Sequence, residues 1–315
     1  MKKSLPLLVC VSLWLAACGG PAATPTPAKQ AAPTATLPGA TQAAILPTPT
    51  PVAAPPTPTR LPTHTPAPTP TPPPAGEATS VPEPTPVPSP SVTDAMVDIP
   101  AGPFSMGTDR GNPDEQPAHE VDVPAFQMDK FEVTNADFAA FVEATGYQTE
   151  AEKRGASRMW RDEYGDGKDD HPVVRASWND AVAYCTWLGK RLPTEAEWEK
   201  AARGPEGFRY PWGNDYDATK VNGKESGLRG TTVVGSYPPN GYGLLDMAGN
   251  VWEWTSDWYQ AYPANPMPDQ FYGEKFRVVR GGGWFEEAPQ LVTYNRNAAD
   301  PEKTANDDLG FRCAK

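Results

Sequence analysis

Capping residues and spaced apolar side chains predict three helices beyond residue 130. Each begins at a Ser or Thr whose hydroxyl can accept a hydrogen bond from a backbone N–H group of the first turn. An acidic residue stands at the third helical position of each one, and glycine follows two of them as a stop signal. The signals are Thr134, Asp137 and Gly146 for the first helix; Ser177, Asp180 and an apolar face of Ala181, Cys185 and Leu188 for the second; and Thr194, Glu197 and Gly204 for the third.

Turns and short strands dominate the rest of this region. Gly- and Pro-rich turns are predicted at 99–102, 238–241 and 280–283. A few helices among many such turns predict an α+β domain with low regular secondary structure.

The first residues have the pattern of an export signal. Two lysines precede an apolar run at residues 5–17, which is too short to span a bilayer. The run ends in Leu-Ala-Ala followed by Cys18, which resembles the lipoprotein box of bacteria. We therefore expect cleavage before a lipid-modified Cys18 and an exported, membrane-anchored lipoprotein that faces outside the cytoplasm. The alternative is a plain signal peptide that happens to contain this cysteine.

A proline- and threonine-rich segment follows. Residues 21–90 contain 23 prolines, 15 threonines and no aromatic residue. Proline lacks a backbone donor and the segment offers no apolar surface to bury, so it is predicted to be a disordered, extended linker. The resulting domain plan is a signal peptide at 1–17, a lipidated N-terminus at 18–20, a linker at 21–93 and a folded domain at 94–315.

Composition places the core in that last domain. Of the 31 aromatic residues, 30 lie from Phe104 onward. The net charge of the 315-residue chain is -12, and residues 94–315 hold 37 acidic against 23 basic side chains. Nucleic-acid binding needs clustered Lys and Arg, so this charge excludes that class of partner.

A series of motifs runs in order through residues 95–315. Together they resemble the formylglycine-generating enzyme (sulfatase-modifying factor) family. The matching stretches are 100–107 (PAGPFSMG), 131–135 (FEVTN), 171–174, 177–181, 190–199 (KRLPTEAEWE), 211–213, 239–244, 246–254 (DMAGNVWEW), 280–284 (RGGGW) and 309–313 (LGFRC).

This resemblance implies a compact α+β fold with a C-type-lectin-like core. It also implies oxidation of a substrate cysteine to formylglycine by O₂, with the help of a copper(I) ion held by two active-site cysteines, since soft thiolates suit that ion. The two cysteine positions correspond here to Glu286 and Leu291, and the preceding Ser of the family corresponds to Gly283. Neither Glu nor Leu can supply a thiolate, so copper is not expected.

Two cysteines remain in the folded domain, Cys185 and Cys313. By the resemblance they form the structural disulfide of the family, which an exported protein can keep oxidised. Two alternatives stay open: redox or copper ligands, and buried free thiols. The mature chain has only His64, His119 and His171, too few for a three-histidine iron site in the domain; the last two are interpreted as surface or structural residues.

Calcium is the cofactor predicted instead of copper. Asp246, Gly249, Val251 and Glu253 can direct two carboxylates and two backbone carbonyls toward one ion, and the resemblance implies a calcium site there. In the purely structural alternative, the carboxylates only cap turns. A second implied site would use Asn222, Gly223 and Leu228, but Ser226 stands at its acidic position.

The resemblance also implies a substrate cleft. Its candidate residues are Tyr242, Trp252, Arg280, Trp284, Phe285 and Glu286. Aromatic rings beside an Arg and a Glu could bind a peptide or a glycan, whereas the alternative places most of these rings in the core.

The sequence therefore predicts a surface-anchored lipoprotein whose domain acts by binding or scaffolding, without formylglycine-generating oxidase activity. The alternative is an oxidoreductase with a rearranged site centred on Glu286. The expected partners of the protein are the membrane, through the lipid on Cys18, and a peptide or glycan ligand.

Overall fold

The computed structural model describes residues 95–165, 167–303 and 306–315. The predicted signal peptide, Cys18 and the whole predicted linker lie outside these residues. All described residues belong to one compact unit, Glu77–Lys315. Across these residues, no helix has both the length and the apolar character that a membrane crossing requires.

Two antiparallel strand pairs open the domain. Strand β1 (Met96–Ile99) pairs with β4 (Phe126–Asp129), and β2 (Gly102–Met106) pairs with β3 (His119–Val123). The predicted turn at 99–102 connects β1 to β2. Buried side chains of both pairs share one core cluster with Trp198, Ala201 and Ala202, which belong to the third predicted helix.

The main sheet has four strands in the order β7-β6-β5-β8. They are β5 (Trp252–Trp258), β6 (Arg277–Arg280), β7 (Arg296–Ala299) and β8 (Leu309–Gly310). Strand β5 pairs antiparallel with β6 and parallel with β8. The sheet therefore places the start of β5 beside the end of β6 and beside β8, with Glu253 opposite Arg280 and Trp252 opposite Leu309.

The three predicted helices are confirmed. They are α1 (Asn135–Thr145), α4 (Trp178–Trp187) and α5 (Glu195–Arg203). The hydroxyls of their capping Thr134, Ser177 and Thr194 each accept a hydrogen bond from the backbone N–H three residues later. Gly146 ends α1 in the left-handed conformation that glycine adopts without a steric penalty.

Two four-residue helices were not predicted: α2 (Glu150–Lys153) and α3 (Trp160–Glu163). The first of them has a complete capping box, because Thr149 and Glu152 each accept a hydrogen bond from the other residue's backbone. That Thr-x-x-Glu spacing is a helix signal that the sequence prediction did not use.

The core consists of three clusters of buried apolar side chains. The largest contains Cys185 from α4 and Cys313 from the segment after β8, and these two form the expected disulfide. Both cysteines are fully buried. The mixed α+β architecture with little regular secondary structure is therefore confirmed, together with this covalent link between α4 and the segment that follows β8.

Candidate functional site

Three glycines follow β6 and let the backbone pass through the core. Gly282 has φ 76°, and a Cβ atom there would lie 2.9 Å from the carbonyl oxygen of Gln290 and from a methyl carbon of Leu291. At Gly283 a Cβ atom would lie 2.9 Å from the Cβ of Asp308. A side chain at either position would displace its neighbour, so glycine allows the close approach that places Trp284 and Phe285 at the surface.

The two positions implied for copper cysteines lie in different environments. Leu291 is fully buried in an apolar cluster with Val221 and Val292. Glu286 is partly exposed, and its Oε1 accepts a long hydrogen bond of 3.4 Å from the indole N–H of Trp252. In the described part of the chain both cysteines are joined to each other, so no thiolate faces this position.

A second carboxylate lies beside this position. Asp308 packs against Gly283, and its backbone carbonyl accepts a hydrogen bond of 2.7 Å from the Trp252 backbone N–H. Burial raises the pKa of Asp308 to about 6, with further contributions from the charges of Asp307 and Glu286. Two acidic side chains therefore meet where the family resemblance implied a soft metal.

A cleft of about 610 Å³ opens next to these residues. It is lined by Lys224, Gly227, Arg229, Trp284 and Phe285. The two rings meet edge to face with centroids 5.9 Å apart, and Phe285 is 61% exposed. Lys224 forms an ion pair with Glu287 and lies 5.8 Å from the centre of the Phe285 ring.

Two residues predicted for the cleft are elsewhere. Arg280 is fully buried, donates to Glu199 and lies 3.5 Å from Glu195, so it belongs to an ion network below the sheet. Tyr242 packs against the cluster that contains β1 and β4. Both residues were predicted for the cleft because they lie in motifs shared with the family. A shared motif does not show the direction in which a side chain points.

Trp252 also belongs mainly to the core, with 6% exposure, and reaches the site only through its indole nitrogen. Of the six predicted residues, the structure thus brings Trp284, Phe285 and Glu286 together at the surface and Trp252 beneath them.

The first implied calcium position has one available carboxylate oxygen. Asp246 is buried, its Oδ2 accepts from the Gly235 N–H, and its Oδ1 has no hydrogen-bond partner. Burial is the main cause that raises the pKa of Asp246 to about 6. Glu253, in contrast, accepts two hydrogen bonds from Arg312 at 2.7 and 2.8 Å and one from Trp198 at 2.8 Å. Asp246 thus has one oxygen without a partner, whereas both oxygens of Glu253 are occupied by a guanidinium.

At the second implied position, Ser226 stands where the resemblance implies an acidic residue. The amide oxygen of Asn222 accepts a hydrogen bond of 3.0 Å from the Ser226 hydroxyl, and the Gly223 carbonyl accepts from the Ser226 backbone N–H. Leu228 is an exposed side chain. Two of the implied ligand oxygens, those of Asn222 and Gly223, thus accept hydrogen bonds from Ser226.

Comparison with known proteins shows the family to which this chain belongs. Residues 82–315 match the sulfatase-modifying factor enzyme 1-like domain. The chain belongs to this family.

Relatives in the sulfatase-modifying factor family carry two kinds of name. The chain is 40% identical over 279 residues to the formylglycine-generating enzyme of Bos taurus, covering 70% of this chain and 74% of the relative. It is 42% identical over 275 residues to the inactive C-alpha-formylglycine-generating enzyme 2 of Mus musculus, covering 70% and 85%. Family membership therefore includes both active and inactive relatives.

A solved structure of the same fold is PvdO from Pseudomonas aeruginosa. It aligns with a TM-score of 0.57 and 33% identity, over 70% of this chain and 93% of PvdO. The expected formylglycine-generating-enzyme fold is thereby confirmed for the sulfatase-modifying factor domain.

Several residues of the site were missed from the sequence of this sulfatase-modifying factor domain. Lys224 begins a short 3-10 helix and Arg229 follows it, outside the recognised stretches, whereas Asp308 directly precedes the recognised stretch 309–313. Glu132 lies inside the recognised stretch 131–135, is fully buried, and has an Oε1 with no hydrogen-bond partner. A buried acid within a shared motif is a signal that could have found it.

Within residues 95–165, 167–303 and 306–315, no three side chains of His, Cys, Asp and Glu form a group that could hold a metal ion. His119 contacts the Pro117 carbonyl, and His171 lies 2.9 Å from the Thr231 hydroxyl. These local contacts agree with the structural roles predicted for both histidines.

Proposed function

We propose that this chain is an exported, lipid-anchored protein whose sulfatase-modifying factor domain binds a ligand and does not generate formylglycine. One observation carries the proposal: Glu286 and Leu291 stand at the two positions implied for the copper cysteines. A carboxylate is a hard ligand that copper(I) disfavours, and a buried alkyl group has no donor atom.

The surroundings of these two residues support the same conclusion. Leu291 fills apolar volume, with its methyl groups close to the backbones of Gly223 and Gly282. An ion at this position would lose its hydration without gaining a ligand from Leu291. The cleft beside it, with two accessible rings, offers a surface for a ligand of peptide or glycan class.

Mass spectrometry tests the catalytic half of the proposal. The purified chain is loaded with copper(I) and incubated aerobically with a cysteine-containing sulfatase-type peptide. We expect no conversion of cysteine to formylglycine, whereas formation of the aldehyde would contradict the proposal. The double variant Glu286→Cys/Leu291→Cys is the matched comparison, because it restores both sulfur donors to the same scaffold; we expect it to bind copper(I) more tightly than the parent chain.

The anchoring half rests on Cys18. Acyl chains each add about 0.8 kcal/mol per buried methylene to membrane binding. We expect the parent chain to fractionate with membranes and Cys18→Ser to become soluble after export. A Cys18→Ser chain that stays with membranes to the same extent would remove the lipid from the proposal.

Calcium is retained as a proposal at Asp246 alone. The unpaired Oδ1 of this buried side chain is the observation that supports it. Asp246 would supply the carboxylate, and backbone carbonyls such as those of Gly249 and Val251 would supply further oxygens of the kind that calcium prefers. Glu253 is left out, since it binds Arg312.

An oxidoreductase with a rearranged site is the second candidate. The specific observation in its favour is the proximity of the Glu286 and Asp308 charges, with the pKa of Asp308 at about 6. Such a carboxylate can exchange a proton near neutral pH. This candidate predicts oxygen consumption that Glu286→Ala abolishes without unfolding the chain. Equal consumption by both proteins would count against it.

A further inference from the structure

We propose that the cleft beside Trp284 binds an anionic ligand that carries a flat apolar group. In this arrangement Arg229 contacts the anion, and the rings of Trp284 and Phe285 contact the flat group. The inference rests on the binding role proposed above and specifies the chemistry of the ligand.

Arg229 is available to a ligand. It is exposed, it lines the cleft, and among the described residues it forms no ion pair. Lys224, the other cation of the cleft, is already paired with Glu287. A guanidinium presents several N–H donors in a planar fork that matches a carboxylate or sulfonate, so Arg229 suits the role of the anion contact.

The backbone of Arg229 supports a role beyond loop formation. Its φ is 57°, in the left-handed region that costs a non-glycine residue roughly 1 kcal/mol. Glycine or asparagine would form the same turn with less strain, so the turn alone does not explain an arginine here.

The two rings supply the apolar contact. Phe285 leaves 61% of its surface exposed, and Trp284 is fixed by a hydrogen bond of 3.1 Å from its indole nitrogen to the Asp307 carbonyl. The two rings meet edge to face and line the cleft, so they present aromatic surface to a flat ligand.

Charge distinguishes this cleft from a second one of similar size. The other cleft, of about 690 Å³, includes Tyr147, Tyr164 and Arg161 in its lining. Its cation is paired, since Arg161 lies 2.9 Å from Glu152. In a chain with a net charge of -12, an arginine that forms no ion pair among the described residues provides local complementarity to an anion beside exposed rings, whereas the nearby Glu286 and the acidic surface elsewhere repel it.

Two fluorescent dyes test the proposal. The probe 8-anilinonaphthalene-1-sulfonate combines a flat apolar group with an anion, and N-phenyl-1-naphthylamine is its neutral counterpart. Each dye is titrated into the full chain carrying Cys18→Ser in detergent-free buffer. We expect Arg229→Ala to weaken binding of the sulfonate by about tenfold, as loss of one close charge pair implies, and to leave the neutral dye unchanged.

The remaining variants complete the test. Arg229→Lys keeps the charge and should retain most of the sulfonate binding, and Phe285→Ala should weaken both dyes. Arg110→Ala and Phe271→Ala remove an exposed arginine and an exposed ring elsewhere, so neither should change binding. If Arg229→Ala fails to fold, Arg229→Asn replaces it, because asparagine tolerates positive φ.

Competition then identifies the source of the anion. Displacement by N-acetylphenylalanine but not by its amide indicates a free carboxylate, whereas displacement by N-acetyl-Phe-Asp-Phe-amide indicates an acidic peptide. An unchanged sulfonate isotherm for Arg229→Ala, or an equal loss for both dyes, would overturn this inference and leave the proposed function standing. Formylglycine formation would overturn the proposed function whatever the dyes show.

Discussion

Replacement of Arg312 by methionine should destabilise the domain more than any surface charge substitution. Arg312 is fully buried and holds both carboxylate oxygens of Glu253. It also donates to the backbone carbonyls of Asp129, Lys130 and Leu245 at 3.0 to 3.3 Å. Methionine fills similar volume but leaves Glu253 charged, buried and bonded only to Trp198.

The magnitude follows from burial of the partner that remains. Removing one member of a buried ion pair costs about 3 to 5 kcal/mol, because the other charge is left uncompensated. For a domain of this size, each kcal/mol lowers the melting temperature by roughly 2 to 4 °C. We therefore expect Arg312→Met to lower the melting temperature by about 6 to 20 °C in circular dichroism or calorimetry.

Arg191 provides the matched control. It also binds a glutamate through two hydrogen bonds, both of 2.7 Å to Glu197, but its side chain is 47% exposed. A solvated pair contributes about 0 to 1 kcal/mol, so Arg191→Met should change the melting temperature by at most about 4 °C. Similar decreases in melting temperature for the two variants would refute the argument that the loss of stability depends on burial of the ion pair and not on its pairing geometry.

Four further predictions concern the metal, the loop, the disulfide and the acid beside the cleft. Chelation of calcium should lower the melting temperature by several degrees through loss of a ligand of the folded state, and identical curves with and without chelator would remove calcium from the proposal. Ser226→Ala should cost about 1 kcal/mol through the lost bond to Asn222, by the same amount with or without calcium; a calcium-dependent cost would indicate an ion in that loop. Cys185→Ala/Cys313→Ala opens a link across 128 residues and should lower the free energy of unfolding by roughly 4 to 5 kcal/mol in urea titrations, whereas a loss below about 1 kcal/mol would contradict the chain-entropy argument. The carboxyl of Asp308 binds its proton more tightly in the folded chain than in the unfolded chain, because burial raises its pKa to about 6. The free energy of unfolding of the parent, relative to that of Asp308→Asn, should therefore fall as the pH rises from about 4 to 6. Parallel pH profiles for the two proteins would exclude that pKa shift.

Local signals predicted the helices well. The capping residues Thr134, Ser177 and Thr194 act within one helical turn, so a short sequence window contains all the partners that they need. The disulfide came from the family resemblance and was confirmed, although it joins residues 128 positions apart.

The site was predicted less completely because its contacts are long-range. Arg280 lies in a shared motif, but its burial depends on Glu199, 81 residues earlier. Glu253 was interpreted as a calcium ligand because no local pattern shows that Arg312, 59 residues later, satisfies it. Arg229 stands in a loop of irregular backbone, where neither periodicity nor a motif marks a side chain that faces a cleft.

Residues 309–315 include β8, Arg312 and Cys313. The backbone N–H of Cys313 donates a hydrogen bond to the carboxylate of Asp129, near the start of the domain. A ribosome adding 5 to 20 residues per second needs about 10 to 40 seconds to synthesise the 184 positions between Asp129 and Cys313. Throughout that interval the nascent chain lacks the segment that closes its core. The domain is therefore expected to complete folding only after residue 313 has been synthesised, so its earlier segments stay incompletely folded during that interval.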